Sequence, residues 1–211
     1  MSEDERTADR NRDRPVVALD AGQVLVTFDF ERANEKLYAH TGKRLSLPLP
    51  PQLEEVFRKA EIEGDAWERT ARAVAEHLGV DLSLAEWVEI WCSIFTGQVP
   101  GMEEVLRDFR EDFRFVALSN TCKVHWEFVC RSYPIMSLLE GWVVSYEVGA
   151  AKPDPAIYRA LSEKFTGGRP PLFFTDDMPA FVEGARRVGW RAEVFRGASW
   201  LAEVLREAKK K

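Results

Sequence analysis

Three short apolar stretches, Val16-Val17-Ala18-Leu19, Phe115-Val116-Ala117-Leu118 and Leu172-Phe173-Phe174-Thr175, each stop at polar residues: Asp20, Ser119-Asn120 and Asp176-Asp177. A strand with one face in water alternates apolar with polar side chains, so runs this uniform belong to strands covered on both faces, as in a parallel sheet. Two weaker strands are predicted at Trp142 to Tyr146 and Ala192 to Phe195. Between the strands lie helical patterns at Met102 to Phe109, Val124 to Cys130, Ala156 to Phe165 and Ala180 to Val188. Strand and helix alternate, which predicts a doubly wound α/β fold around a parallel sheet.

One stretch departs from that rhythm. From Phe30 to Gly97 the spacing predicts only helices: one near Glu31 to His40, a break at Pro48, Pro50 and Pro51, and further patterns such as Trp67, Ala71, Val74, Ala75 and Leu78, or Leu84, Trp87, Val88, Trp91, Ile94 and Phe95. The expected division is a disordered tail at 1–14, an α/β core at 15–29 and 98–211, and a helical cap at 30–97 inserted after the first strand. Trp67, Trp87 and Trp91 read either as the core of that cap or as the lining of a substrate pocket. Lys209-Lys210-Lys211 reads as a frayed, charged end.

The 211 residues suffice for one domain with an insertion, and 45% hydrophobic with 30% charged residues is a soluble globular composition. No run reaches the ~20 apolar residues of a membrane helix, and the charged start MSEDERTADRNRDR is no secretory signal. Together these predict a cytoplasmic protein. Its 3 cysteines lack the spacing of a zinc site or a disulfide framework, and a net charge of −6 argues against binding nucleic acid through phosphate neutralisation. The oligomeric state is not legible.

The chemistry concentrates at the strand ends. In an open parallel sheet ligands bind at the carboxyl ends of the strands, where this chain carries Asp20, Ser119-Asn120-Thr121 and Asp176-Asp177. Carboxylates gathered closely repel unless a cation sits among them, and a few hard oxygen ligands suit Mg²⁺. Lys152, just before a helix, offers positive charge for phosphate oxygens. Each feature has a plainer use: Asp20 in a turn, Ser119-Asn120 as a helix cap, Lys152 on the surface, Asp176-Asp177 at a helix start. Together they describe a phosphoryl-transfer site.

The segments LDAGQVLVTFDF, LSNTCKVHW, EVGAAKPDPAIY and FFTDDMPAFVEGA stand in the order of the motifs of the haloacid dehalogenase superfamily of hydrolases, and each resembles its glucose-1-phosphate phosphatase-like branch. The likeness runs from Val16 to about Phe195, with Phe30 to Gly97 as the cap. It implies that Asp20 is the nucleophile, forming an aspartyl-phosphate, and that Mg²⁺ is held by Asp20, the Gly22 carbonyl, Asp177 and Asp176. It further implies that Ser119, Asn120 and neighbouring N–H groups bind phosphate while Lys152 offsets transition-state charge. The chain departs from many superfamily phosphatases in having Gly22 where they carry a second, proton-transferring aspartate; His125 is the candidate base if it reaches the site. The expected function is a Mg²⁺-dependent phosphatase of a small phosphorylated metabolite, such as a sugar phosphate. Two alternatives stand beside it: a metal-free dehalogenase-type hydrolase, for which Asp176 and Asp177 have no obvious use, and a low-turnover binding or regulatory protein on the same fold.

Overall fold

The computed structural model describes residues 14–46, 48–64 and 66–210; the expected tail, apart from Arg14, lies outside them, as does Lys211. In chain order the strands are β1 (Val16–Leu19), β2 (Val26–Phe28), β3 (Phe95–Gln98), β4 (Arg114–Ser119), β5 (Gly141–Val144), β6 (Phe173–Asp176) and β7 (Ala192–Val194). The helices are α1 (Phe30–Thr41), α2 (Pro51–Ala60), α3 (Trp67–Leu78), α4 (Leu84–Cys92), α5 (Met102–Phe109), α6 (Lys123–Ser132), α7 (Ser145–Val148), α8 (Pro155–Thr166), α9 (Pro179–Arg187) and α10 (Ala198–Lys209).

Five strands form one sheet in the order β5-β4-β1-β6-β7, and every pairing in it is parallel. Alternation along β1 explains the unbroken apolar runs: Val17 and Leu19 enter one core with Phe115, Ala117 and Phe173, while Val16 and Ala18 enter another with Val116, Leu118 and Phe174. The first core is closed by Met102 and Leu106 of α5 and Leu201 and Leu205 of α10, the second by Ile157 and Leu161 of α8 and Val182 and Ala185 of α9. Both faces of the sheet are thus dry, and polar groups at strand ends can meet only along its carboxyl edge. The strand order places β1 between β4 and β6, so Asp20 falls between Ser119 and Asp176.

The described residues of 30–92 carry four helices with a separate apolar core that includes Leu37, Leu53, Trp67, Val74, Trp87 and Ile90. Helical spacing had suggested that this stretch was helical throughout. The structure instead ends α4 at Cys92 and turns Phe95–Gln98 into β3, antiparallel to β2, with Val26 opposite Gln98, Thr27 opposite Gly97 and Phe28 opposite Phe95. Ile94 and Phe95 continue the apolar period, but the β-branched Thr96 favours extended backbone, Gly97 pairs with Thr27 across the ribbon, and Thr27 Oγ1 and Thr96 Oγ1 lie 2.6 Å apart. The two crossings between insertion and sheet therefore run as one hydrogen-bonded ribbon. Two ends also differ from the sequence reading. Tyr146 lies in the short helix α7 rather than in a strand, and Lys209 ends α10 in an ion pair with Asp112 (2.8 Å).

Candidate active site

The chain leaves β1 at Asp20, whose N–H donates to Thr175 O of the neighbouring strand (2.9 Å). Lys152 arrives from the loop between α7 and α8 and sits among three acceptors: its Nζ donates to Asp20 Oδ1 (2.6 Å), Asp176 Oδ2 (2.6 Å) and the Leu118 carbonyl (2.9 Å). Asp20, Lys152 and Asp176 are only 7%, 3% and 0% exposed. All three donors of the ammonium are satisfied, so it is held as a fixed positive charge rather than as a mobile surface lysine.

Two polar locks hold the surrounding loops. Asn120 accepts from the Lys152 N–H (2.7 Å) and donates its amide to the Lys152 carbonyl (2.9 Å), tying the end of β4 to the lysine loop. The oxygen and one N–H of the Asn120 side chain are thus engaged with backbone, so that Asn120 positions Lys152. Ser145, fully buried at the start of α7, accepts from the Thr121 N–H (2.9 Å) and donates to the Thr121 carbonyl (3.1 Å). Nothing in the sequence around Ser145 singled it out, because its partner is 24 residues away across the sheet. Ser119 is buried at the end of β4 and, with Asn120 and Thr121, faces a cavity of about 400 Å³ beneath the helical insertion.

The charge balance favours a cation. Carboxylate oxygens of Asp20, Asp176 and Asp177 all lie within 4.8 Å of one another. Burial pushes the Asp20 carboxyl up to about 7; the Lys152 ammonium opposes this, while Asp176 and Asp177 reinforce it. Asp177, half-buried, is also held above the ordinary carboxylate range by burial and by Asp176. Burial alone would lower the Lys152 ammonium, but Asp20 and Asp176 outweigh it and hold the group above its usual value. Three acids against one ammonium leave surplus negative charge in a low-dielectric site, and all the surplus donors are hard oxygens. That donor set fits a divalent ion such as Mg²⁺.

His125 does not complete this group as a base. Its Nε2 lies 3.2 Å from the Trp91 carbonyl, and its ring stacks on Trp91 (5.6 Å) and meets the edge of Phe95 (5.1 Å). Burial pushes the imidazole down to about 4, only partly opposed by that hydrogen bond. It is neutral near pH 7 and well below the pKa of an efficient proton acceptor there. The helical spacing that placed His125 near Phe128 and Val129 gave its packing, not a catalytic role.

Removing the cation tests how the cluster is held. Lys152→Met leaves Asp20 and Asp176 buried without a counter-charge, and breaking a buried pair in this way costs ~3–5 kcal/mol. Without the ammonium the Asp20 carboxyl, already pushed up to about 7 by burial, rises further, so the folded variant takes up a proton at higher pH than the wild type does. The deficit relative to wild type is therefore expected to be greatest above neutral pH and to shrink as pH falls to about 7 and below, where Asp20 is protonated in both proteins. Denaturant unfolding across pH measures it.

No protein-family model matches the sequence. The fold matches that of the HAD family enzyme BT-2542 from Bacteroides thetaiotaomicron with a TM-score of 0.79 at 22% identity, over 90% of this chain and 98% of that one. Phosphatase MT3486 of Mycobacterium tuberculosis (strain CDC 1551 / Oshkosh) is 30% identical over 192 residues, 83% of this chain and 84% of the relative. The chain belongs to the haloacid dehalogenase superfamily. An aspartate-to-alanine variant of BT-2542, crystallised with magnesium and inorganic phosphate, matches with a TM-score of 0.71 at 23% identity over 87% of this chain and 95% of that one.

Within the superfamily, the glycine two residues after Asp20 has a steric cause. A Cβ at Gly22 would lie 2.7 Å from Phe28 Cε1, closer than carbon atoms approach, and 3.7 Å from Asp20 Oδ2. The Phe28 backbone is held in the ribbon, where Gln23 Nε2 donates to its carbonyl (2.9 Å), and its ring meets Phe30 (5.2 Å). An aromatic ring thus fills the space in which a second superfamily aspartate would begin.

Proposed function

We propose that the chain is a Mg²⁺-dependent phosphomonoesterase that works through an aspartyl-phosphate on Asp20. The observation that carries this reading is the buried cluster of Asp20, Lys152, Asp176 and Asp177 at the carboxyl edge of the sheet. A bound Mg²⁺, held by Asp20, Asp177 and the Gly22 carbonyl with Asp176 close by, would draw charge from the phosphoryl group. Asp20 attacks phosphorus through a carboxylate oxygen as the phosphorus–oxygen bond to the substrate breaks, and the leaving oxygen takes a proton from solvent to become the alcohol. Water then cleaves the acyl phosphate and restores the carboxylate. Lys152 neutralises charge on the transferring group, and the Ser119 turn supplies donors to its oxygens. Asp176 keeps Lys152 aimed at Asp20 through its own 2.6 Å contact and accepts from the Met178 N–H (2.9 Å), which fixes the start of α9.

Residues 30–97 act as the cap. They roof the cavity into which Gly22 and Ser119 face, exclude water and contact the part of the substrate beyond phosphate. Selectivity resides there, not at the sheet edge. The name of the Mycobacterium tuberculosis relative and the magnesium and phosphate bound to BT-2542 support the phosphatase reading. A metal-free dehalogenase would have no use for Asp177, whose carboxylate adds only repulsion to the cluster unless a cation is bound. Placement in the glucose-1-phosphate phosphatase-like branch, and with it a sugar phosphate substrate, rests on the four sequence motifs.

Mg²⁺ is expected to raise phosphate release and thermal stability together. A ligand at about 100 times its Kd adds ~2.7 kcal/mol, which is about 5–10 °C of melting temperature for a domain of this size. Asp177→Asn should reduce both effects. If EDTA-treated protein hydrolyses phosphomonoesters as fast as metal-loaded protein, the Mg²⁺ role fails.

A further inference from the structure

We propose that the substrate is the phosphate ester of an alcohol that carries a positive charge, an amino alcohol with a primary or quaternary nitrogen, and that the Glu61 carboxylate in the cavity wall recognises that charge. The inference rests on the phosphomonoesterase reading of the site and adds to it the chemical class of the leaving group. Glu61 is then a specificity residue, and the bond to phosphorus is broken by the groups already described.

The position of Glu61 follows from the end of α2. That helix stops at Ala60, and Glu61 is its C-cap. The residues after it rest on the core: the Ile62 carbonyl lies 3.9 Å from the Cβ position of Gly149, and the Tyr146 carbonyl 3.6 Å from that of Gly64. The cap therefore touches the segment that leads from α7 to Lys152, and Glu61 lines the cavity together with Gly22 and the Ser119 to Thr121 turn. Its charge is felt in the core, where burial, joined by Glu61, pushes the Cys122 thiol up to about 11.

No cation of the protein answers that charge. Among the described residues that line the cavity there is no lysine or arginine, Glu61 is the one carboxylate, and His125 is neutral near pH 7. Arg58 and Lys59, in the last turn of α2, are exposed and pair with Glu55 (2.7 and 3.6 Å). Lys152 directs its three donors to Asp20, Asp176 and the Leu118 carbonyl. No hydrogen bond or ion pair engages the Glu61 carboxyl among the described residues; burial pushes it above the ordinary carboxylate range, opposed only by the Lys152 ammonium. The carboxyl end of a helix is itself negative, so α2 adds partial charge of the same sign. A substrate that fills the cavity strips water from Glu61. A neutral alcohol would leave the carboxylate buried and unpaired and a second anion would add repulsion, whereas an ammonium replaces the lost water with an opposite charge. The rings of Phe57, Trp67 and Trp91 in the same wall suit both the alkyl groups and the charge of such a nitrogen.

The test compares choline phosphate and ethanolamine phosphate with neohexyl phosphate, the isostere of choline phosphate in which a carbon replaces the charged nitrogen. Phosphate release with Mg²⁺ is followed for the full chain and for its Glu61→Gln and Glu61→Asp variants. The leaving groups differ in reactivity, but that difference is common to all three proteins and cancels when their kcat/KM ratios are compared. The ratio of charged to uncharged ester is expected to fall ~10-fold or more in Glu61→Gln, the scale of one charge-assisted contact, and to be partly kept in Glu61→Asp. A second measurement needs no variant: at fixed ionic strength, choline should inhibit hydrolysis of p-nitrophenyl phosphate by the wild-type chain at ~10-fold lower concentration than neohexyl alcohol. Equal inhibition by the two alcohols overturns the inference, and so does an ester ratio that Glu61→Gln leaves unchanged, whether both rates are kept or both fall together. Should neither variant fold, the inhibition alone decides. Release from p-nitrophenyl phosphate but from none of the three esters also overturns the inference and leaves the phosphatase reading intact. Absence of release from every ester overturns the phosphatase reading itself, and the inference with it.

Discussion

Asp20→Asn is expected to reduce phosphate release by on the order of 10⁴-fold or more, since losing a covalent nucleophile removes the reaction path rather than one contact along it. Folding should be nearly unchanged. The amide keeps the shape of the carboxylate, Asp20 N–H still donates to Thr175 O, and Lys152 retains Asp176 and the Leu118 carbonyl as acceptors. Relief of repulsion among the acids offsets part of the lost attraction to Lys152, because Asp20 is itself held protonation-prone by burial and by Asp176. The two readouts are released phosphate and the thermal unfolding midpoint. A variant that retains near-wild-type turnover would rule out Asp20 as the nucleophile; one that fails to fold would show that the cluster is structural before it is catalytic.

The sheet was legible because burial on both faces leaves a plain mark: Val16 to Leu19 and Phe115 to Leu118 contain no polar residue, and each lies wholly within an observed strand. The acids and Lys152 were legible because residues of those types at strand ends have few structural uses. What stayed hidden was pairwise and distant in sequence. The Asn120 amide is tied to backbone 32 residues away, and Ser145 holds Thr121 across 24 residues. No local pattern encodes either partnership. His125 misled for the opposite reason, since an ionisable side chain beside a motif is conspicuous in sequence while the rings that pack it, Trp91 and Phe95, belong to other elements. Phe95 shows the same limit at the level of secondary structure. Its apolar character served the helical period equally well, and only pairing with Phe28 makes it a strand residue.

Phe28 leads to the other large effect. Hydrolysis of the aspartyl-phosphate needs a water deprotonated on arrival, and general-base help is worth ~10²–10⁴-fold. Gly22 supplies no carboxylate, and His125 is neutral near pH 7 with a pKa near 4. The second step should therefore limit turnover, so that a substrate with a good leaving group gives a burst of alcohol, up to one per active site, followed by a slower steady phase. Inserting the missing acid alone should not help: a Cβ at Gly22 would lie 2.7 Å from Phe28 Cε1, so Gly22→Asp must displace the Phe28 ring or distort the Asp20 loop. Gly22→Asp combined with Phe28→Ala removes that contact and leaves room for a carboxylate near Asp20. The double variant is expected to raise the steady rate by about 10²-fold, the lower end of general-base assistance, and to erase the burst, whereas Phe28→Ala alone should do neither. His125→Ala should lower stability by loosening the Trp91 stack without changing the ratio of burst to steady rate. Stopped-flow or quenched-flow measurement of alcohol and phosphate release decides the matter. A wild-type time course that is linear from the first turnover would show that dephosphorylation is not limiting, and that the proton leaves the attacking water by a route Phe28 does not block.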